Sequence, residues 1–269
     1  MMTAGNMTLR VGLVQFDVHP GDEAGNLKTA REGIRRLAAA ESALAVLPEM
    51  WSTGFDMGRL AEHAARTPRI LDILAETAAA EKIVIAGSLP ERTDQGIANT
   101  LYVHDSDGTL AGAYRKVHLF RPHREDRFFR AGESCRVCTT SAGRLGLVIC
   151  YDLRFPEFCR TLTLQGADML VVCAQWPAVR GHHWDVLLPA RALENQLPVV
   201  AANRCGSDSS LAYGGHSQIV TAEGAVAAMA GEREPAVLSA PLDKTLPERL
   251  RREIPCLDDR RPDIYDKYR

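Results

Sequence analysis

The sequence has no apolar run approaching the ~18 residues of a membrane span. Its first ten residues, Met1 to Arg10, lack the apolar stretch of a secretory signal. The expectation is a cytoplasmic protein with no membrane partner. Excess charge is also missing. The 32 Lys and Arg residues face 34 Asp and Glu, a net charge of −2, so no basic field gathers nucleic acid. Cysteine is too sparse for a disulfide scaffold: there are seven in 269 residues, and an odd number cannot all pair. Cys135 and Cys138 form a C-x-x-C, but no second pair follows at zinc-ribbon spacing and no βαβ pattern surrounds it. They read as two ordinary thiols in a strand. The histidines form no ligand motif. His182 and His183 are adjacent and point apart on a helix, and His118 and His123 lie in a loop-like stretch. No metal and no cofactor is expected.

What is present is an ordinary globular composition. Hydrophobic residues at 46% supply a large core and exclude disorder. No low-complexity linker, composition break or solenoid repeat divides the chain, which reads as a single domain over residues 1–269. Met2 and Met7 are alternative starts, since the first strand-like run begins near Thr8.

Strand and helix patterns alternate. Leu9 to Phe16, Ala43 to Leu47, Lys82 to Leu89, Met169 to Ala174 and Val199 to Asn203 read as buried strands. Asn99 to His104 and Leu110 to Lys116 flank Asp107-Gly108 as a hairpin, and Val137 to Cys138 pairs with Arg144 to Cys150. Gly215 to Thr221, Val226 to Met229 and Ala236 to Ala240 are later strands. Helical spacing appears at Asp22 to Ala40, Thr67 to Ala80, Phe155 to Gln165, His183 to Asn195 and Thr245 to Ile254. Pro68 is placed near the start of the second helix, where proline is tolerated. The pattern predicts an α/β domain with mixed strand pairing and helices covering the sheet faces.

Three strand ends carry reactive residues. Val46-Leu47-Pro48-Glu49 delivers a carboxylate, Tyr114-Arg115-Lys116 delivers an ammonium, and Val148-Ile149-Cys150 delivers a thiol just before a helix. Ligands of α/β sheets collect at the carboxyl ends of strands. Taken singly, each fragment is most simply a buried thiol, a turn or a surface charge. Together they meet a chemical need. A thiol with an ordinary pKa of ~8.5 is only a few per cent ionised near neutrality, so it needs a base. A carboxylate supplies one, and a lysine compensates that carboxylate and polarises the developing oxyanion. Cysteine, glutamate and lysine are a complete amide-hydrolysing set.

In this order, LPEM around Glu49, YRKVHLF around Lys116 and CYDLRFPE from Cys150 resemble the nitrilase superfamily of carbon–nitrogen hydrolases. ARALEN from Ala190, Asn203-Arg204 and Gly215-His216-Ser217 support the resemblance over nearly the whole chain. It implies a four-layer αββα sandwich with two mixed β-sheets, commonly paired into a homodimer. It implies that Cys150 is the nucleophile, Glu49 the general base and acid, and Lys116 with the Tyr151 N–H the oxyanion site. A second glutamate is expected after the lysine motif; Glu125 fits, with Asp126 and Glu133 as competitors.

The run after Cys150 and the segments Gln175-Trp176-Pro177 and His183-Trp184 are similar to the omega-amidase branch, which hydrolyses small carboxylate-bearing amides. Deaminated-glutathione amidases and other carbon–nitrogen hydrolases share several of these strings. Arg154 is the candidate grip for a substrate carboxylate; its alternative is an ion pair with Glu157 or Glu194. Trp176 either walls the pocket or packs in the core. A papain-like protease would need a histidine base and a glycine-rich cysteine signature, which CYDLRFPE lacks. A catalytically silent scaffold would tend to have lost Glu49, Lys116 or Cys150, and all three are present.

Overall fold

Apolar runs that look alike in sequence fold into two sheets laid face to face in the computed structural model, which describes residues 7–268. Met2, one of the two alternative starts, lies outside these residues. The first half runs β1 (Thr8–Gln15), α1 (Glu23–Ala39), β2 (Leu44–Val46), α2 (Leu60–Glu81), β3 (Val84–Thr93), β4 (Gly96–His104), β5 (Leu110–Arg115) and a short α3 (Glu125–Phe128). The second half runs β6 (Val137–Thr140), β7 (Gly143–Ile149), α4 (Pro156–Leu164), β8 (Met169–Ala174), α5 (Gly181–Asn195), β9 (Val199–Asn203), β10 (Gln218–Val220) and β11 (Val226–Met229). The tail adds β12 (Ala236–Asp243), α6 (Leu246–Glu253) and α7 (Pro262–Tyr265).

One sheet has the order β12-β1-β2-β3-β4-β5 and the other β11-β10-β9-β8-β7-β6. Each has three parallel strands at its centre, β1-β2-β3 and β7-β8-β9, with antiparallel strands outside them. Period-two alternation sorts the side chains. Val11, Leu13, Leu44, Val46, Val84 and Ala86 face the second sheet, while Val14, Ala45, Leu47 and Ile85 face Ile34, Leu37, Leu74 and Ala78 of α1 and α2. The helices α4 and α5 cover the second sheet through Leu162, Leu188 and Ala192. The result is the αββα sandwich. It differs from the residue-level expectation of helices on both faces of a sheet, because here the second face is covered by the other sheet.

Two helices begin earlier than the sequence suggests. The helix expected from Thr67 starts at Leu60, so Pro68 is interior. A buried stripe of Leu60, Ala64, Thr67, Ile70 and Leu74 runs unbroken past the proline, and this packing outweighs the hydrogen bond that proline removes. The helix α5 likewise contains Pro189. The third strand also runs on to Thr93 and turns directly into β4, a nine-pair hairpin. No helix among the described residues is long and apolar enough to cross a membrane.

The parallel strands send their carboxyl ends to one edge of the sandwich. There β2 leads to Glu49, β7 to Cys150 and β8 to Gln175, while β5 reaches Lys116 from the antiparallel side. The segment carrying Glu49 is packed down by the fully buried Trp51, which lies against Gly87 of β3. A Cβ on Gly87 would stand 2.8 Å from the indole and 3.1 Å from Leu47 Cβ. Gly87→Ala should therefore lower stability by about 1–3 kcal/mol in urea unfolding. An unchanged midpoint would show that Trp51 is free to move.

Candidate active site

Backbone strain marks both ends of the site. Cys150 follows β7 with φ +46°, and Met50 follows Glu49 with φ +45°. Non-glycine residues adopt this left-handed region only when their surroundings enforce it. For Met50, the enforcing contact is its N–H donating to Ser88 Oγ at 2.8 Å. For Cys150 it is Asp152, two residues on and fully buried. Its Oδ2 accepts from the Ile149 N–H at 3.0 Å and the Tyr114 hydroxyl at 2.7 Å. Its Oδ1 accepts from the His118 N–H at 3.0 Å and bonds the His118 ring at 2.8 Å. Asp152 thus ties the turn bearing the thiol to the segment bearing Lys116.

Lys116 is completely buried. Its Nζ donates to Glu49 Oε1 at 2.7 Å and to Glu125, whose oxygens lie at 2.8 and 2.9 Å. Taking an ammonium out of water costs several kcal/mol, and only paired, well-bonded partners offset it. Both carboxylates are themselves satisfied. Glu49 Oε1 accepts from Asn99 Nδ2 at 2.8 Å, and Glu49 Oε2 accepts from the Gln175 N–H at 3.1 Å. The Phe120 N–H donates to Glu125 Oε2 at 3.0 Å. Glu125 is therefore the acid on Lys116; Asp126 and Glu133 are exposed.

These contacts set the proton affinities. Burial works to lower the Lys116 pKa, but Glu125 and Glu49 outweigh it and hold the ammonium above its ordinary value. Burial raises Glu125, assisted by Glu49 and opposed by Lys116. Burial, then the charge of Glu49, raises the Cys150 thiol well above its ordinary value, with Lys116 pulling the other way. The sulfur enters chemistry as a thiol beside a carboxylate.

A further layer holds Glu49 from behind. Gln175 Nε2 donates to the Glu49 carbonyl at 2.7 Å, and Gln175 Oε1 accepts from Arg204 at 3.0 Å. Arg204 is fully buried, paired with Asp17 at 3.1 Å and Asp208 at 3.0 Å, and stacked 4.1 Å over Tyr213. Asn99, Asp152 and Arg204 carry no role in the sequence reading. Their signal is faint: a polar residue at the edge of an apolar strand, or next to a stronger motif.

The cleft above Cys150 is lined by Phe120, Glu125, Tyr151, Arg154, Gln175, Trp176, Pro177 and Arg180, and its free volume is only about 20 Å³. Arg154 lies 4.5 Å over the Trp176 ring and faces this cleft. The ion pairs proposed for it do not form, since Glu194 accepts from Arg191 and Glu157 is exposed on α4. Trp176 has a place in both the core and the cleft. It is buried against Trp184 with ring centroids 5.4 Å apart, and it walls the cleft. Tyr151 sits at the first turn beyond the thiol, its ring 4.9 Å from Phe120. Cys135 and Cys138 are free thiols, and Cys138 is buried in β6. His118 is stacked 3.7 Å from Phe155, and His123 meets Phe55 edge-on at 5.4 Å. Among the described residues, no group of three His, Cys, Asp or Glu is placed to hold a metal ion.

Comparison with known proteins agrees with this geometry. The carbon–nitrogen hydrolase family model matches residues 10–252. A 2-oxoglutaramate amidase of Bacillus subtilis is 36% identical over 261 residues, covering 96% of this chain and 100% of its own. The crystal structure of a carbon–nitrogen hydrolase from Helicobacter pylori superposes with a TM-score of 0.91 at 25% identity, over 97% of this chain and 98% of its own. An amidase variant from Nesterenkonia sp. AN1 superposes with a TM-score of 0.86 at 26% identity, over 97% of each chain. In that protein the acetamide moiety of fluoroacetamide is covalently added at the active-site cysteine.

The four bonds to Asp152 generate a test. Asp152→Asn keeps the shape but turns one acceptor into a donor facing two other donors. The variant should lose about 1–3 kcal/mol of stability. In the protein that remains folded, kcat should fall about 10- to 100-fold through misplacement of the thiol, with a smaller change in KM. An unchanged kcat in folded variant would separate Asp152 from the placement of Cys150.

Proposed function

This chain belongs to the carbon–nitrogen hydrolase family and is an amide-hydrolysing enzyme, and we propose that it releases ammonia from a short linear amide with a carboxylate at its far end. This is the omega-amidase reaction, on amides of the 2-oxoglutaramate and 2-oxosuccinamate class. The observation that carries the reading is Arg154, a guanidinium that has no carboxylate partner among the described residues and lines the same narrow cleft as Cys150. The named activity of the Bacillus subtilis relative supports the same substrate class.

The contacts support the following roles. Cys150 Sγ attacks the amide carbon while Glu49 takes the thiol proton. Negative charge moves onto the former carbonyl oxygen, where the Lys116 ammonium and the Tyr151 N–H receive it. As the tetrahedral adduct collapses, Glu49 returns the proton to the leaving nitrogen, the C–N bond breaks and ammonia departs. A thioester remains on Cys150. Water then attacks it as Glu49 accepts a proton, and collapse of the second adduct releases the carboxylic acid and regenerates the thiol. Glu125 holds Lys116 and keeps its ammonium aimed between the two acids. Arg154 grips the distal carboxylate, and Trp176 is the wall it stacks on. The set needs no metal or cofactor.

A cytoplasmic homodimer completes the proposal. Exposed Leu164 on α4 and Val186 and Leu193 on α5 give the outer helical layer an apolar face for a second copy.

Variants, a thiol reagent and a chelator test the chemistry. Cys150→Ala and iodoacetamide treatment should each abolish ammonia release, and EDTA should leave it intact. Lys116→Met should cost about 10²–10³ in kcat, the loss of one oxyanion donor. Glu49→Gln should slow acylation, and the double variant should be far from additive because the groups act as a unit. Near-parental rates in any folded single variant would contradict the assignment.

Substrate class is tested by comparing 2-oxoglutaramate with pentanamide, an uncharged amide of equal chain length. The parent should strongly favour the charged amide, and Arg154→Lys should raise KM for it because the bidentate fork is lost. Equal kcat/KM for the two amides would remove the omega-amidase reading and leave the carbon–nitrogen hydrolase chemistry standing.

A further inference from the structure

Two guanidinium groups stand at the mouth of the cleft. Arg154 comes from the turn behind Cys150, and Arg180 comes from the turn Ala178–Arg180 beyond β8. Arg180 lies 5.5 Å over the Phe120 ring, and Arg154 lies over Trp176 on another wall. Both line the space above the thiol, and neither has an ion pair among the described residues. They are close enough to repel. Burial is the main cause that lowers the Arg154 pKa, and Arg180 adds to it.

The charges deeper in the site do not account for both. Glu49 and Glu125 share the single ammonium of Lys116. That leaves at most one negative charge, which one guanidinium answers. The second guanidinium is left over in a half-buried cleft, where an unanswered charge is costly. An anion that brings more than one acceptor removes the cost. A carboxylate accepts two parallel bonds from one guanidinium, and an adjoining 2-oxo oxygen offers a further acceptor.

We propose that Arg180 is a specificity-determining residue, which together with Arg154 clamps the carboxylate and the adjoining 2-oxo oxygen at the far end of the amide. The inference rests on the omega-amidase reading and deepens it by naming a second residue, Arg180, that selects the 2-oxo acid end of the substrate. The backbone already holds Arg180 in place. Its carbonyl accepts from Trp176 Nε1 at 2.8 Å and its N–H donates to the Pro177 carbonyl at 2.9 Å. Among the described residues the guanidinium makes no hydrogen bond or ion pair and lies against the Phe120 ring, so a ligand can engage it, and its replacement leaves the backbone bonds of the turn in place.

The test compares three five-carbon amides on the parent, Arg180→Gln and Arg180→Lys: 2-oxoglutaramate, glutaramate, which lacks the 2-oxo group, and pentanamide, which lacks both acidic features. The readout is the ratio of kcat/KM values within each protein. In Arg180→Gln, the preference for 2-oxoglutaramate over pentanamide should fall about 10- to 100-fold, the loss of a charge-assisted pair. The preference over glutaramate should shrink with it, and Arg180→Lys should restore part of both. Ratios in Arg180→Gln within twofold of the parent would overturn the role of Arg180 alone. A parent that does not discriminate 2-oxoglutaramate from pentanamide would overturn the omega-amidase reading itself, before any variant is compared.

Discussion

A single ammonium, sealed from water between two carboxylates, is the constraint that the rest of the site obeys. Lys116 has no exposed surface, and its partners Glu49 and Glu125 arrive from separate elements, one after β2 and one in α3. Removing Lys116 leaves two buried carboxylates facing each other uncompensated, and removing either carboxylate strips the buried ammonium of one of its two acceptors. Such a cluster survives only where every remaining lone pair has a donor, and here Asn99, the Gln175 N–H and the Phe120 N–H supply them. The second sheet is part of this arrangement. The Glu49 N–H donates to the Ala174 carbonyl at 3.3 Å, so this carboxylate's backbone is anchored across the seam between the sheets. The fold and the chemistry are joined at that seam: the sandwich brings the carboxylate of one sheet to the thiol of the other.

The same seam explains where backbone strain is stored. Cys150 and Met50 both sit in the left-handed region directly at the strand ends, a cost of order 1–3 kcal/mol each. Asp152 holds one turn and Ser88 the other. Strain here aims the sulfur and the carboxylate out of the ends of their strands instead of along them. Behind Glu49, the buried Arg204 gathers Asp17, Asp208 and Gln175 into one network that fixes the loop after β8. The reactive groups are few, and most of the polar burial on this edge serves to keep them still.

Much of this was legible in the residues. The bounds of Met169–Ala174 and Val199–Asn203 can be read directly, because fully apolar runs between turn residues admit little else. Glu49, Lys116 and Cys150 stood out because each ends a strand with a reactive group. Layering was harder to read. When both faces of a strand are buried, as at Leu44 to Val46, apolar residues occur at every position, and nothing in the run says whether a helix or a sheet covers each face. Pro68 hides the true start of α2, since local propensity places a proline in the first turn whereas tertiary packing carries the helix through it from Leu60. The choice between Glu125 and Asp126 is a matter of which side chain a short helix turns inward, which adjacent residues cannot reveal. Asn99, Asp152 and Arg204 are isolated in sequence and meaningful only through partners up to 187 positions away.

The central claim is that Cys150, raised as a thiol and deprotonated by Glu49, carries the substrate as a thioester under the hand of Lys116. Mass spectrometry of protein quenched in acid during turnover of 2-oxoglutaramate tests it most directly. The account predicts an adduct equal to the substrate less ammonia on the peptide containing Cys150, cleaved by hydroxylamine and missing from Cys150→Ala. Turnover with no adduct, or with the adduct on one of the other cysteines, would contradict it.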